Sequence, residues 1–275
     1  RTLNTGPADN LPIDMRNRPR MTALALTRDG QRLVFVGSDR SERFKTKLYV
    51  KDLRGQDPAR EIAHTDGAEA PFLKPDGLWV GFWKDSKLQK VPIDGGAAPQ
   101  VICECRLPFG ASWGDNGVIV FSCDERSPLS QVSDKGGRPE PATELEADER
   151  SHRFPHLLQN GAGVVYTVVP GTGFRSWQSA RLVVQQLGRR QERRVVAANG
   201  AADGRYLQTG HLLFVREGSL SAVAFNSTDL KITGEEFPVV SDVMQAANSS
   251  SSTADTLAAQ IAVSDNGTLV RVGGG

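Results

Sequence analysis

Residues 72–83 read FLKPDGLWVGFW, and this stretch decides the fold. Two apolar and aromatic runs flank the tetrapeptide Lys-Pro-Asp-Gly, whose glycine is at position 77. An Asp-Gly or Asn-Gly step between such runs is a strong hairpin signal, because glycine reaches the positive φ that primed two-residue turns demand. The stretch is therefore predicted to form an antiparallel β-hairpin.

The same turn signature recurs along the whole chain. Its copies end at glycines that are 40 to 57 residues apart, and a run typical of a β-strand follows each one. The copies are ALTRDG ending at Gly30, FLKPDG at Gly77, SWGDNG at Gly117, HLLQNG at Gly161, RYLQTG at Gly210 and AVSDNG at Gly267. The chain is therefore a tandem array of one supersecondary unit.

Further β-rich runs follow the hairpins. Five copies have a third run, namely KLYVKDL from Lys47, KLQKVPI from Lys87, LSQVS from Leu129, RLVVQQL from Arg181 and SLSAVAF from Ser219. Shorter fourth runs include REIA, PQVICE, RRVVA and FPVVS. Four strands per unit and six units predict an all-β, six-bladed β-propeller with four-stranded antiparallel blades. The alternative is a β-sandwich or barrel, which has no reason to repeat one turn motif six times.

We expect a single propeller domain over residues 1–275. Its blades are predicted at about 21–67, 68–107, 108–151, 152–199, 200–243, and 244–275 together with 1–20. The sixth copy has only two β-rich runs, so we expect the N-terminal segment, with LPIDM at 11–15, to supply an outer strand and close the ring.

Composition excludes several classes of protein. The 28 glycines and 15 prolines are spread over the whole chain, which argues against long helices. The net charge is +1 and the basic residues are dispersed, so no nucleic-acid partner is expected. No apolar run reaches the length of a membrane span, and the first residues do not resemble a signal peptide, so we expect any targeting segment outside this sequence.

Propeller geometry indicates where a site would lie. The turns between first and second strands share one face, and the loops between blades surround the channel mouth on the other face. We therefore expect the six turns to mark the quieter face. Ligand-binding candidates are polar residues of the inter-blade loops, and Trp177 of the loop at 170–179. They are Arg20, Glu69, His152, Arg153, Trp177, Asp203, Arg205 and Gln260.

Three of these candidates have side chains suited to catalysis or metal binding. Imidazole and carboxylate groups bind divalent metals, so Glu69, His152 and Asp203 are candidates for a metal or acid–base site in the channel. The alternative is that they form hydrogen bonds and ion pairs along a wet channel. No cofactor is predicted, although a divalent metal would suit these donors. The pattern G-x-S-x-G at 110–114 precedes a hairpin rather than a helix, which argues against a nucleophile elbow.

Two further features stay open. The polar, Ser-rich segment 244–258 is either a disordered insertion or a mobile cover over the channel mouth. Three cysteines, Cys103, Cys105 and Cys123, fit neither a disulfide framework nor a zinc pattern, although a Cys105–Cys123 bridge is conceivable.

Several runs resemble a known family. The runs LQKVPIDGGAAPQVIC, FGASWGDNGVIVF, TGHLLFVREGSLSAVAF and AVSDNGTLVRV, with residues 72–83, look like the TolB-like, WD40-like (PD40) propeller of bacterial serine/threonine protein kinase sensors. The resemblance extends over about residues 20–273. It implies an exported sensing or protein-binding module in the periplasm or outside the cell. No kinase motif occurs in this chain.

We therefore expect a non-catalytic sensor or interaction propeller that binds a protein, a peptide or a small molecule at the channel mouth. It is expected to be a monomer or part of a longer membrane-anchored chain. The alternative is a propeller hydrolase, of the esterase, lactonase or phosphoesterase type, with a metal or acid–base site in the channel. A third alternative is a fragment of a longer tandem propeller.

Closure of the ring by the N-terminal segment can be tested directly. Deleting residues 1–15 should lower the melting temperature, because the sixth blade would lose its outer strand and leave an open seam. Thermal unfolding of the full and shortened chains measures the effect. An unchanged melting temperature would rule this closure out.

Overall fold

The computed structural model describes residues 21–38, 45–158, 161, 163–171, 176–188, 193–246 and 256–273. These residues form antiparallel β-sheets that follow one another around a ring. A short 3-10 helix, Ser176–Ser179, lies between two strands of the fourth sheet. No helix of the described residues is long and apolar enough to cross a membrane.

The first three repeats each form a complete four-stranded blade. Blade 1 consists of β1 (Leu24–Leu26), β2 (Arg32–Ser38), β3 (Thr46–Asp52) and β4 (Arg60–Glu61). Blade 2 consists of β5 (Glu69–Leu73), β6 (Trp79–Lys84), β7 (Lys87–Pro92) and β8 (Gln100–Glu104). Blade 3 consists of β9 (Ala111–Trp113), β10 (Val118–Phe121), β11 (Ser130–Ser133) and β12 (Glu140–Pro141).

The remaining repeats are less uniform. Blade 4 consists of β13 (Glu149–Leu157), β14 (Gly163–Pro170), β15 (Arg181–Gln186) and β16 (Arg194–Ala197). Blade 5 consists of β17 (Ala202–Leu207), β18 (His211–Arg216), β19 (Ser219–Asn226), β20 (Lys231–Ile232) and β21 (Phe237–Val240), and both of its last two strands pair with β19. The sixth sheet contains β22 (Ile261–Val263) and β23 (Leu269–Arg271).

The all-β propeller with four-stranded antiparallel blades is therefore confirmed, but the predicted number of complete blades is wrong. The described residues form five blades and a two-stranded sheet in the sixth place. The reason is that the turn signature marks the first hairpin of a repeat and carries no information about its outer strands. The predicted closing segment, 1–20, lies outside the described residues.

The turn glycines adopt the backbone conformation that the signature predicts. All six have positive φ, between 65° and 85°. The loop is longer than a two-residue turn, however. In blade 1 the Gly30 N–H donates to the Thr27 carbonyl at 2.8 Å, and the Thr27 N–H donates to the Arg32 carbonyl at 3.0 Å. Five residues, 27–31, therefore separate β1 from β2, and glycine supplies the left-handed residue that returns the chain into β2.

Apolar clusters between neighbouring sheets hold the ring together. One cluster joins blades 1 and 2, and three others join blades 2 and 3, 3 and 4, and 4 and 5. The two-stranded sheet packs against blade 5 through Ile261 and against blade 1 through Ala262 and Val270. It thus fills the place of a sixth blade at the inner part of the ring.

A disulfide also joins two blades. Cys105, just after β8, is bonded to Cys123, just after β10, with Cα atoms 5.1 Å apart. This pairing, which the sequence left open, ties blade 2 to blade 3. Cys103 keeps a free, buried thiol, and burial raises its pKa to about 11.

Polar contacts close the seam between the sixth sheet and blade 1. The fully buried Gln260 side chain accepts a hydrogen bond from the Ala23 N–H at 2.8 Å. Its amide nitrogen donates to the Met21 carbonyl at 2.9 Å. Gln260 therefore satisfies two backbone groups of the segment that leads into β1.

Replacing Gln260 should weaken this seam. Gln260→Leu keeps the approximate volume but leaves the Ala23 N–H and the Met21 carbonyl without their described partner. Each buried orphan costs about 1–3 kcal/mol, so the free energy of unfolding should fall by at least about 2 kcal/mol. Denaturant unfolding measures this change, with the exposed Gln100→Leu as a matched control. Equal stability of both variants would contradict the assignment.

Candidate functional site

A cavity of about 170 Å³ lies at the centre of the ring. The first strand of every repeat contributes to its wall, so all six sheets converge on it. Its polar lining residues are Arg28, Lys74, Ser112, His156, Arg205, Tyr206 and Asp265, and its apolar ones include Leu26, Phe72 and Trp113. The inner edges of the sheets thus form one shared pocket.

The cavity reaches the face that carries the turns. Arg28, Lys74 and Asp265 belong to three of the six turns, and all three line the cavity. The cavity therefore brings turn residues into its wall, and the expectation that this face is the quieter one stays a prediction. The sequence signature identified these residues as parts of turns, and it did not indicate that they line the cavity.

An ion pair crosses the mouth of the cavity. The Arg28 guanidinium donates two hydrogen bonds to the Asp115 carboxylate, at 2.7 Å and 3.0 Å. It also lies 3.8 Å from the Asp265 carboxylate, which accepts a hydrogen bond from Gln208 at 2.9 Å. Since Arg28 is in blade 1 and Asp115 is in blade 3, the pair connects blades that are not neighbours.

These four mouth residues share one position in the repeat. Arg28, Asp115, Gln208 and Asp265 each stand two residues before a turn glycine. Sequence analysis missed them because it treated the turns as scaffold. An alignment of the repeats on their turn glycines would have shown polar residues at this one position.

Arg205 is a predicted site residue that does line the cavity. Its guanidinium forms an ion pair with Asp203 at 2.6 Å and donates to the Gly204 carbonyl at 3.3 Å. Asp203 is fully buried, and burial raises the pKa of its carboxyl, whereas Arg205 and the Ala259 N–H favour its charged form. The Asp203 carboxylate therefore lies behind the wall and holds the Arg205 side chain that faces the cavity.

His156 lies in the same wall, close to two cations. Desolvation, together with the charges of Arg205 and Arg28, lowers the pKa of the imidazole to about 3. The His156 imidazole is therefore neutral at physiological pH.

The other predicted candidates lie elsewhere. Arg153 is buried, its guanidinium stacks over the Phe109 ring at 3.9 Å, and burial lowers its pKa to about 9. Glu69 is half-buried at the start of β5. Trp177 belongs to the short 3-10 helix, and Arg20 lies outside the described residues. Residues 247–255 of the Ser-rich segment also lie outside them.

His152 is buried between blades 3 and 4 and does not reach the cavity wall. Its Nδ1 is hydrogen-bonded to the Thr143 hydroxyl at 2.7 Å, and its Nε2 is hydrogen-bonded to the Glu149 carboxylate at 2.9 Å. Both ring nitrogens are therefore in use. The structure does not bring His152 to Asp203 as a shared metal site.

The Glu149 carboxylate organises this interface. It accepts hydrogen bonds from Arg181 at 2.8 Å, from Arg193 and from the Glu146 N–H at 2.9 Å. Carboxylate oxygens of Glu146, Asp148 and Glu149 lie within 4.8 Å of one another. Arg181 and Arg193 pair with all three carboxylates and offset two of their three negative charges, so the cluster forms an ion-pair network.

Ser112 is the serine of the G-x-S-x-G pattern, and it lies within β9. Its hydroxyl accepts a hydrogen bond from the Leu157 N–H of blade 4 at 3.0 Å. The preceding Gly110 has a φ of 94°, and a Cβ there would lie 2.9 Å from the Phe154 Cα. The pattern therefore reflects close packing of blade 3 on blade 4.

Comparisons with known proteins identify the fold. No protein-family model matches the chain. No curated protein matches it either. The structure is similar to TolB from Acinetobacter baumannii, with a TM-score of 0.59 and 14% identity over 80% of this chain. The chain spans 54% of that TolB chain, about half of its length.

Two other solved structures cover more of their own length. A putative TolB from Agrobacterium tumefaciens has a TM-score of 0.54 and 12% identity, with 79% of this chain and 81% of that chain covered. An oligogalacturonate lyase from Vibrio parahaemolyticus has a TM-score of 0.54 and 10% identity, with coverage of 92% and 87%. These likenesses establish a TolB-like β-propeller fold that is shared by proteins with different activities.

The Glu149 network should make stability depend on pH. Its neighbours hold the pKa of Glu149 well below the ordinary value of 4.5, chiefly through hydrogen bonds from His152 and Arg193 that outweigh desolvation. A depressed pKa stabilises the fold above pH 4.5, and this contribution is lost as pH falls below that value. Glu149→Gln should therefore cost about 3 kcal/mol at pH 7 and progressively less in acid.

Denaturant unfolding at several pH values measures this difference, with the exposed Glu140→Gln as control. A cost for Glu149→Gln that is the same at pH 7 and pH 3 would contradict the assigned ionic role.

Proposed function

We propose that the protein is a non-catalytic sensor or interaction propeller that binds its ligand in the central cavity, through the mouth on the turn face. The observation that carries this proposal is the convergence of all six inner strands on one cavity with charged groups at its mouth. Concave sites with a few convergent polar groups are the usual ligand sites of proteins.

The walls of the cavity favour binding because they are pre-organised. They belong to strands whose outer faces pack into the apolar clusters between blades, and Arg205 is held by the buried Asp203. A ligand therefore meets side chains that need little ordering, which reduces the entropic cost of association.

The hydrolase alternative receives less support from the described cavity wall. A general base works best when its pKa lies near the operating pH, and the pKa of His156 is lowered to about 3. The Ser112 hydroxyl is engaged by the backbone of blade 4. Acyl or phosphoryl transfer to a side chain requires a nucleophile that is hydrogen-bonded to a base, and no hydrogen bond of the described residues joins Ser112 to His156.

The wider context is also a proposal. The Cys105–Cys123 disulfide suits an oxidising compartment, so we place the protein in the periplasm or outside the cell. The same proposal includes three further points. They are attachment to a membrane-anchored kinase sensor, a protein, peptide or small-molecule partner, and completion of the sixth blade by the N-terminal segment.

A ligand screen with a blocked cavity tests the proposed function. Ala111 lines the cavity, so Ala111→Leu should fill part of it. A compound or peptide that binds there should raise the melting temperature of the natural chain by mass action, and it should lose this effect with the variant. Thermal shift against a metabolite and peptide library measures both.

The exposed Ala98→Leu serves as the matched control and should respond like the natural chain. The proposal fails if no compound stabilises the natural chain, or if every stabilising compound acts equally on Ala111→Leu.

A further inference from the structure

The mouth of the cavity already holds a carboxylate. The Asp115 carboxylate occupies the Arg28 guanidinium with two hydrogen bonds, at 2.7 Å and 3.0 Å. Two parallel N–H···O bonds are the geometry in which arginine selects planar carboxylates. The chain itself thus supplies an example of the group that this part of the mouth accepts.

This internal contact is easily exchanged. The side chains of Arg28 and Asp115 are 38% and 53% exposed. Exposed ion pairs contribute only about 0–1 kcal/mol, because water competes for both partners. A ligand that offers the same hydrogen bonds and also contacts the cavity walls can therefore displace Asp115 from Arg28.

The charges on the wall favour an anion. The cavity is lined by three cationic side chains, Arg28, Lys74 and Arg205, and by one carboxylate, Asp265. Asp265 also pairs with Arg28, at 3.8 Å, whereas the other acids that pair with these cations, Asp76, Asp115, Asp134 and Asp203, are not part of the lining. An occupant of the cavity therefore faces more positive than negative groups.

Arg205 has donors left for such an occupant. Within the described residues its contacts are one nitrogen to Asp203 and another to the Gly204 carbonyl. A guanidinium carries five N–H donors in a fixed fork, so part of the fork stays available on the cavity side. His156 lies in the same wall as Arg205.

Size and wall chemistry limit the rest of the ligand. The volume of about 170 Å³ is smaller than the pocket of a typical drug-sized molecule. Phe72 and Trp113 provide apolar surface beside the charged groups. A short organic acid or the acidic end of a peptide fits this description.

From this geometry we propose, on the basis of the function proposed above, that the cavity binds a carboxylate ligand. The ligand carboxylate takes the place of Asp115 on Arg28, and the part of the ligand inside the cavity contacts Arg205. Asp115 therefore acts as an internal competitor whose removal strengthens binding.

Calorimetric titration with succinate at low ionic strength tests this proposal. Asp115→Ala should bind succinate about two- to fivefold more tightly, the factor that matches loss of a competing surface ion pair. Arg28→Ala should bind it about tenfold or more weakly, because hydrogen bonds to charged groups are lost. Succinamide, which has the same shape and no charge, should not bind.

Glu236→Ala is the matched control. Arg216 also donates two hydrogen bonds to a carboxylate, that of Glu236, at 2.7 Å and 3.4 Å, but neither residue lines the cavity. Its removal should leave the affinity for succinate unchanged. A peptide ending in aspartate, titrated beside its amidated form, distinguishes a peptide source of the carboxylate from a small organic acid.

Three results would overturn the carboxylate assignment. They are absence of succinate and acidic-peptide binding, tighter binding of inorganic phosphate than of succinate, and equal affinities for Asp115→Ala and the natural chain. If the library screen still finds a stabilising compound that Ala111→Leu excludes, the cavity remains a binding site and only its carboxylate preference is wrong.

Discussion

Each sheet of this protein has two apolar faces, and both are buried only when the sheets form a closed ring. Every neighbouring pair of sheets shares an apolar cluster, including the pairs on either side of the two-stranded sheet. Apolar surface contributes about 25 cal/mol for each Å² removed from water, so an unclosed ring would lose one whole interface. The small sixth sheet therefore matters more than its two strands suggest, and Gln260 completes the polar part of its contact with blade 1.

Ring closure also creates the site. Because the first strand of each repeat is the innermost, six inner edges surround one cavity, and the turns that follow those strands surround its mouth. A residue at one position of the repeat is thereby placed near its equivalents from other blades. Arg28, Asp115, Gln208 and Asp265 meet in this way although they are far apart in the sequence.

The fold was predictable from the sequence because its determinants are local. A turn glycine needs positive φ whatever surrounds it, and each predicted turn glycine has it. The number of complete blades and the site were less predictable, because both depend on contacts between repeats. His152 and Asp203 were reasonable candidates by residue type, yet Glu149 engages His152 in a buried hydrogen bond and Arg205 engages Asp203 in an ion pair. The Cys105–Cys123 pairing likewise depends on how blade 2 meets blade 3.

The ion pair across the mouth has a consequence for the medium in which the protein works. Arg28 and Asp115 are both exposed, so dissolved ions screen their attraction, with a Debye length of about 8 Å at physiological ionic strength and about 30 Å in dilute solution. The two blades are therefore held together more firmly in fresh, dilute surroundings than in saline ones. A carboxylate ligand of the kind proposed above therefore meets a stronger internal competitor in dilute surroundings than in saline ones.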